Sequence, residues 1–149
     1  MASETVFVHE IRVGWADCDP ASIVYTGKLS LFALEAIDAW WENYFDGDGW
    51  YQLSIDRNLG TPFVHLEIDF KSPVTPRFRL KCAVQPMRLG QSSIEFQVCG
   101  FQDESLCFEG RFVCVFVLAD KFTKIPAPEL IRNVVEPLIP VNANSNSFS

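Results

Sequence analysis

The nine residues Asp17-Cys18-Asp19-Pro20-Ala21-Ser22-Ile23-Val24-Tyr25 gather the chain's most reactive groups into one loop. Its two carboxylates stand just ahead of a long apolar stretch with helical periodicity. A helix N-terminus offers N–H groups without intrahelical acceptors and a partial positive charge. Such donors polarise a carbonyl oxygen and hold the oxyanion that forms when the carbonyl carbon is attacked. A carboxylate beside them can make that attack, or take a proton from a water that makes it. Asp is also a common turn former and helix cap, and the residues alone leave both readings open.

Other reactive groups fit less well. Cys18 sits between the two carboxylates, an environment that disfavours a thiolate nucleophile. Ser22 has no Gly-x-Ser-x-Gly elbow around it and no His-Asp pair nearby. The five cysteines are odd in number and form no C-x-x-C pair, and the only histidines are His9 and His65. Neither a disulfide framework nor a metal site is expected, and free thiols in a reducing compartment are the plain reading.

The elements that must position the loop are legible from periodicity. Residues 6–13 read as a first strand, rich in β-branched side chains. From Gly27 to Phe45, Leu29, Phe32, Ala33, Ala36, Ile37, Trp40 and Tyr44 follow helical i, i+3, i+4 spacing. Leu31, Leu34 and Trp41 widen that surface, leaving Glu35, Asp38 and Glu42 as a narrow polar stripe. A helix this apolar is expected to be wrapped by other structure. Asp46-Gly47-Asp48-Gly49 ends it, and residues 50–58 read as a short helix. Phe63 to Phe70 alternates, with Val64, Leu66, Ile68 and Phe70 on one face and His65, Glu67 and Asp69 on the other. Strands follow at Phe78–Pro86, Ser92–Gly100 and Leu106–Leu118. Short turns between them imply an antiparallel meander. Pro126 to Pro137 reads as a last short helix, and the polar end, 142–149, is expected to fray.

The order is strand, long apolar helix, then four strands. This implies an α+β fold with a five-stranded antiparallel sheet around one central helix, in a single domain over 1–149. The open edges of such a sheet invite pairing with another copy, so a homodimer is expected. The 149 residues can bury roughly 70% of their unfolded surface, enough for one real core. A net charge of −7 without clustered Lys or Arg speaks against a nucleic-acid surface. No apolar run reaches the roughly 20 residues that span a bilayer. The first ten residues lack the basic-then-apolar order of a signal peptide, so a soluble cytoplasmic protein is the expectation.

The Asp17–Tyr25 segment also resembles the signature of the 4-hydroxybenzoyl-CoA thioesterase family of hotdog-fold proteins. That signature has Asp-x-Asp, then small residues, Val or Ile, Val and an aromatic. A second, weaker match is Gly60-Thr61-Pro62-Phe63-Val64-His65, followed by Ile68-Asp69-Phe70 and Pro73. The resemblance covers roughly residues 7 to 125. It implies that Asp19 is the catalytic carboxylate and that the oxyanion donors are the backbone N–H groups of Thr26 and Gly27. It implies an active site at a dimer interface, in a dimer or a dimer of dimers. The acyl group would lie between one helix and the partner's strands, with Tyr25, Thr61, His65 and Trp15 as substrate-binding candidates. The plainer reading of His65 is a structural residue bonded to backbone. Trp15, Trp40, Trp41, Trp50 and Tyr51 read mostly as core, with Trp15 and Trp50 alternatively facing the acyl group. The coenzyme A phosphates need cations, and Arg88, Lys121 and Lys124 are the candidates, with Arg77 and Arg79 beside them.

Three departures from the family pattern leave the acyl group open. Lys28 and Leu29 stand where many relatives carry Asn-Tyr. Glu35 is one position out of register from a helix glutamate of some relatives, where Leu34 stands. Val74-Thr75-Pro76-Arg77 replaces a Gly-Asp. The resemblance implies an acyl-CoA thioesterase that needs no metal or cofactor beyond the coenzyme A of its substrate. Two alternatives are a hydratase or dehydratase on acyl thioesters, which would use a His with an acid from the long helix, and a non-catalytic acyl-CoA-binding module.

Overall fold

The computed structural model describes residues 6–141; the segment 142–149, expected to fray, lies outside the described residues. The chain runs β1 (Phe7–Ile11), α1 (Thr26–Tyr44), α2 (Trp50–Arg57), β2 (Leu59–Gly60) and β3 (Phe63–Phe70). It continues through β4 (Leu80–Leu89), β5 (Ser93–Gln102), β6 (Ser105–Val115), β7 (Val117–Leu118), β8 (Thr123–Lys124) and α3 (Glu129–Val135). Strands β4, β5 and β6 make the expected meander. β1 adds to one edge beside β4, and β3 to the other beside β6, all antiparallel. The expected strand 106–118 breaks at Phe116 because its partners change. Val115 N–H donates to the Pro62 carbonyl and Phe116 N–H to Ser92. Beyond the break, β7 joins β2 and β8 in a second, three-stranded sheet that periodicity did not reveal.

Helix α1 lies chiefly across the inner faces of β1, β4 and β5. Leu29, Phe32, Ala33, Ala36, Ile37, Trp40 and Trp41 are its buried residues. They meet Val84, Ile94, Phe96, Val98, Phe108 and Phe112 from the sheet, in the hotdog arrangement. Gly100 is required at its place, since an added Cβ would fall 2.2 Å from the Phe108 ring. The helix ends as Asp46 and Gly47 turn left-handed (φ 54 and 89), where glycine is at ease.

One expectation is corrected. Trp15, Trp50 and Tyr51 are exposed rather than core. Trp15 rides a one-turn 3-10 helix ahead of α1, and α2 buries only Leu53, leaving its aromatics outward. The sheet wraps the helix as expected, and one side of it stays open within a single chain. Because α1 covers the β1 side of the sheet, Leu31 and the inner row of β3 (Phe63, Leu66, Phe70) stay exposed. A bulge between Phe63 and His65 brings Phe63 onto that inner row and takes Val64 out of the simple alternation. No helix among the described residues is long and apolar enough to cross a membrane.

Candidate active site

The loop ahead of α1 is a small hairpin closed by backbone bonds. Asp19 N–H donates to Ile23 O (3.0 Å) and Tyr25 N–H to Asp17 O (2.9 Å). At its tip Ser22 N–H donates to Asp19 O (2.9 Å), a β-turn with Asp first and Pro20 second, the positions those residues prefer. The Asp19 Oδ1 also accepts the Ala21 N–H at 2.9 Å, an Asx turn that orients the carboxylate. The turn reading of Asp19 is thus observed, with one carboxylate oxygen holding the turn.

The two carboxylates have different company. Asp17 Oδ2 accepts the Gly14 N–H at 2.8 Å, and its Oδ1 is 3.2 Å from Lys28 Nζ. Among the described residues Asp19 has no cationic partner. It opens instead on a cleft of about 530 Å³ lined by Trp15, Cys18, Asp19, Pro20, Ser22 and Pro76. Helix α1 begins one residue after the hairpin closes, with Tyr25 as its N-cap residue and no side-chain cap. The N–H groups of Thr26 and Gly27 thus lie in the first turn, where the helix supplies no acceptor. The Tyr25 ring folds over Gly27: a Cβ there would come within 2.8 Å of it.

The remaining candidates do not converge on that cleft within one chain. Thr61 lines a second groove of about 660 Å³ along α1, with Leu31, Glu35, Trp41, Trp50, Phe63 and Phe122 among its walls. Lys121 and Lys124 flank the turn that carries Phe122, both exposed. His65 lies on the outer face of the sheet, away from α1, with its Nε2 2.6 Å from Glu67 Oε1. That bond, aided by Arg111, holds the Glu67 carboxyl below the usual carboxylate range. Arg88 lies on the same outer face, beside Glu67, Glu95 and Arg111. Burial, with Glu35 second, pushes the Cys82 thiol up to about 12, and burial also raises Cys114. Both are inert core thiols. No group of His, Cys, Asp and Glu among the described residues could hold a metal ion.

The family model of the thioesterase-like superfamily matches residues 13–135. The chain belongs to that superfamily. A crystal structure of a thioesterase-superfamily protein from Jannaschia sp. CCS1 is 59% identical, with a TM-score of 0.90 over 93% of this chain and 96% of that one. A 1,4-dihydroxy-2-naphthoyl-CoA thioesterase from Synechocystis is 22% identical, TM-score 0.77, over 87% and 95% of the two chains. A gentisyl-coenzyme A thioesterase, also 22% identical, gives 0.75 over 85% and 99%. These last two show the shared fold. No curated protein matches the sequence.

For a thioesterase-superfamily chain, three contacts near the site were missed from sequence. Lys28 neutralises Asp17 from the first turn of α1. Its signal was a lone cation in the first turn of the helix, where a basic residue is out of keeping with the helix's positive end. Glu35, read as out of register, is 2.8 Å from His9 Nε2, so a strand histidine does meet a helix acid. The alternation of β1 places His9 on the helix-facing side with Phe7 and Ile11. The third contact, between Val24 and residue 74, spans fifty positions and left no local signal.

Proposed function

We propose that this protein hydrolyses an acyl-CoA thioester to a free acid and coenzyme A, with Asp19 as the catalytic carboxylate. The observation that carries the reading is the pairing of an uncompensated, oriented Asp19 with the open first turn of α1. The thioester carbonyl oxygen points at the Thr26 and Gly27 N–H groups. Asp19 either takes the proton of a water that adds to the carbon or adds to it directly. The tetrahedral oxyanion collapses and the C–S bond breaks. With Asp19 as base, the thiolate takes the proton that Asp19 accepted from the water; with Asp19 as nucleophile, a water then hydrolyses the acyl–Asp19 anhydride, releasing the acid and supplying the thiolate's proton. The reading needs no metal or redox group. The named activities of the naphthoyl-CoA and gentisyl-CoA enzymes and the aromatic groove walls favour an aryl or aryl-like acyl group, including a 4-hydroxybenzoyl one. Lys121 and Lys124 suit the coenzyme phosphates better than Arg88, which sits across the sheet.

The reading includes a homodimer. The β3 edge presents unpaired backbone and an exposed apolar row, with Leu66 43% and Phe70 52% exposed. A second copy laid along β3 would cover it and bring its own residues to α1. Light scattering at micromolar concentration is expected to give a dimer or a dimer of dimers, and a fully active monomer would sink the shared site.

The His9–Glu35 pair favours a second reading, hydration or dehydration of acyl thioesters, since that chemistry uses such a His and acid. One panel separates the alternatives. Aryl-, alkyl- and 2-enoyl-CoA esters are followed both for thiol release and for loss of the enoyl chromophore. Thiol release supports the thioesterase. Chromophore loss without thiol supports the hydratase, and binding with neither leaves an acyl-CoA-binding module.

A further inference from the structure

We propose that Gln102, at the far end of β5, is a positioning residue that holds the Asp19 loop in its working conformation; the inference rests on the thioesterase reading of that loop. Apart from cysteines, Gln102 is the only buried residue with a polar or charged side chain among the described residues, at 6% exposed. Its amide spends all its bonds on one segment. Oε1 accepts the Thr75 N–H at 3.0 Å, and Nε2 donates to the carbonyls of Thr75 and Phe78, each at 2.7 Å. The segment it grips, 71–79, has neither helix nor strand to hold its backbone. A buried side-chain amide supplies the partners that a ladder would otherwise give.

Thr75 is flanked by the two residues that touch the site. Before it, the Val74 carbonyl accepts the Val24 N–H at 2.8 Å, and both valines are buried. Val24 in turn bridges to Cys18, the residue before Asp19. After it, Pro76 forms a wall of the Asp19 cleft. The side chain of Gln102 thereby sets both the anchor of the hairpin's return arm and one wall of its cleft. Removing the amide frees residues 74–76, and the hairpin loses its reference to the core. A shift of about 1 Å in a catalytic group costs on the order of 10²-fold in rate.

The test is Gln102→Met, which keeps the volume and removes the donors and the acceptor. In a variant folded by circular dichroism, kcat on the best thioester is expected to fall about 10–100-fold with KM within about twofold. Amide exchange at Val24 is expected to accelerate about tenfold or more, while the central β4–β5 ladder keeps its protection. A folded variant with wild-type exchange at Val24, or one that changes KM alone, overturns the proposal. Should Gln102→Met not fold, denaturant-dependent exchange of the wild-type protein decides: Thr75 and Val24 amides open as one unit if the link holds, and separately if it does not. A wild-type protein that releases no thiol from any ester sinks the thioesterase reading only. The exchange result then decides the positioning role by itself.

Discussion

Asp19→Asn is expected to lower kcat on the best thioester by roughly 10²–10⁴-fold if the carboxylate is a general base, and further if it is the nucleophile. The substitution is clean because Asn keeps an Oδ1 for the Ala21 N–H and suits the turn before Pro20. The loop should hold its shape and the ester should still bind, so KM changes little. Asp17→Asn is the informative comparison. Two carboxylates in one loop look interchangeable in the sequence, but Asp17 already has Lys28 and the Gly14 N–H. The amide introduced by Asp17→Asn would retain an acceptor for Gly14 and lose a partly exposed ion pair worth at most about 1 kcal/mol. Its expected effect is less than about tenfold, which is what so small a loosening of the loop permits. Steady-state thiol release by both variants checks this. Near wild-type turnover in Asp19→Asn with Asp17→Asn inactive would reverse the assignment. If both stay active, the wrong carboxylate has been chosen, and Glu35, with His9 against it, becomes the next residue to change.

How much of this was legible depended on range. Helix α1 declared itself because its buried residues repeat at the helical period, and its observed bounds differ from the expected ones by a single residue at each end. The β4–β6 meander was legible from its turns. The second sheet was not, because β2, β7 and β8 are two residues long and two residues carry no period. The aromatic residues at 15, 50 and 51 misled for a different reason. Hydrophobic type predicts burial only where an element turns that residue inward, and a one-turn helix or an eight-residue helix has too few inward positions. At the site, the local part was visible: Asp19, its Pro and the helix start lie within eight residues. The long-range part was hidden. Gln102 looks like an ordinary β-turn neighbour, and only the folded backbone reveals that it faces residues 75 and 78. Glu35 was discounted on register, yet its partner His9 comes from another element altogether.

Trp40→Ala is expected to cost about 3–5 kcal/mol, against a total of about 5–15 for a domain of ordinary stability. Trp40 is fully buried, and its ring centroid lies 4.9 Å from Phe96, 5.0 Å from Trp41 and 5.0 Å from Tyr44. Truncation removes these edge and tilted contacts and leaves a cavity between α1 and β5 that the rigid sheet cannot close. At about 2–4 °C per kcal/mol for a chain of this size, the midpoint should drop by roughly 6–20 °C. Trp50→Ala provides the contrast. It removes the same side chain from a position 57% exposed, touching Tyr51 at 5.7 Å, so stability should move by no more than about 0.5 kcal/mol. Trp50 lines the groove along α1, so its loss should appear instead as a changed ranking of acyl groups. Denaturant unfolding at one fixed protomer concentration measures both, since association would shift the midpoint with concentration. The stability effect reaches the proposed site through α1 itself: Trp40 pins the helix to the sheet about four turns from Thr26 and Gly27, whose N–H groups the proposed oxyanion role needs held steady. A Trp40→Ala protein as stable as the parent would mean that α1 is held from elsewhere, and that the aromatic cluster is not its anchor.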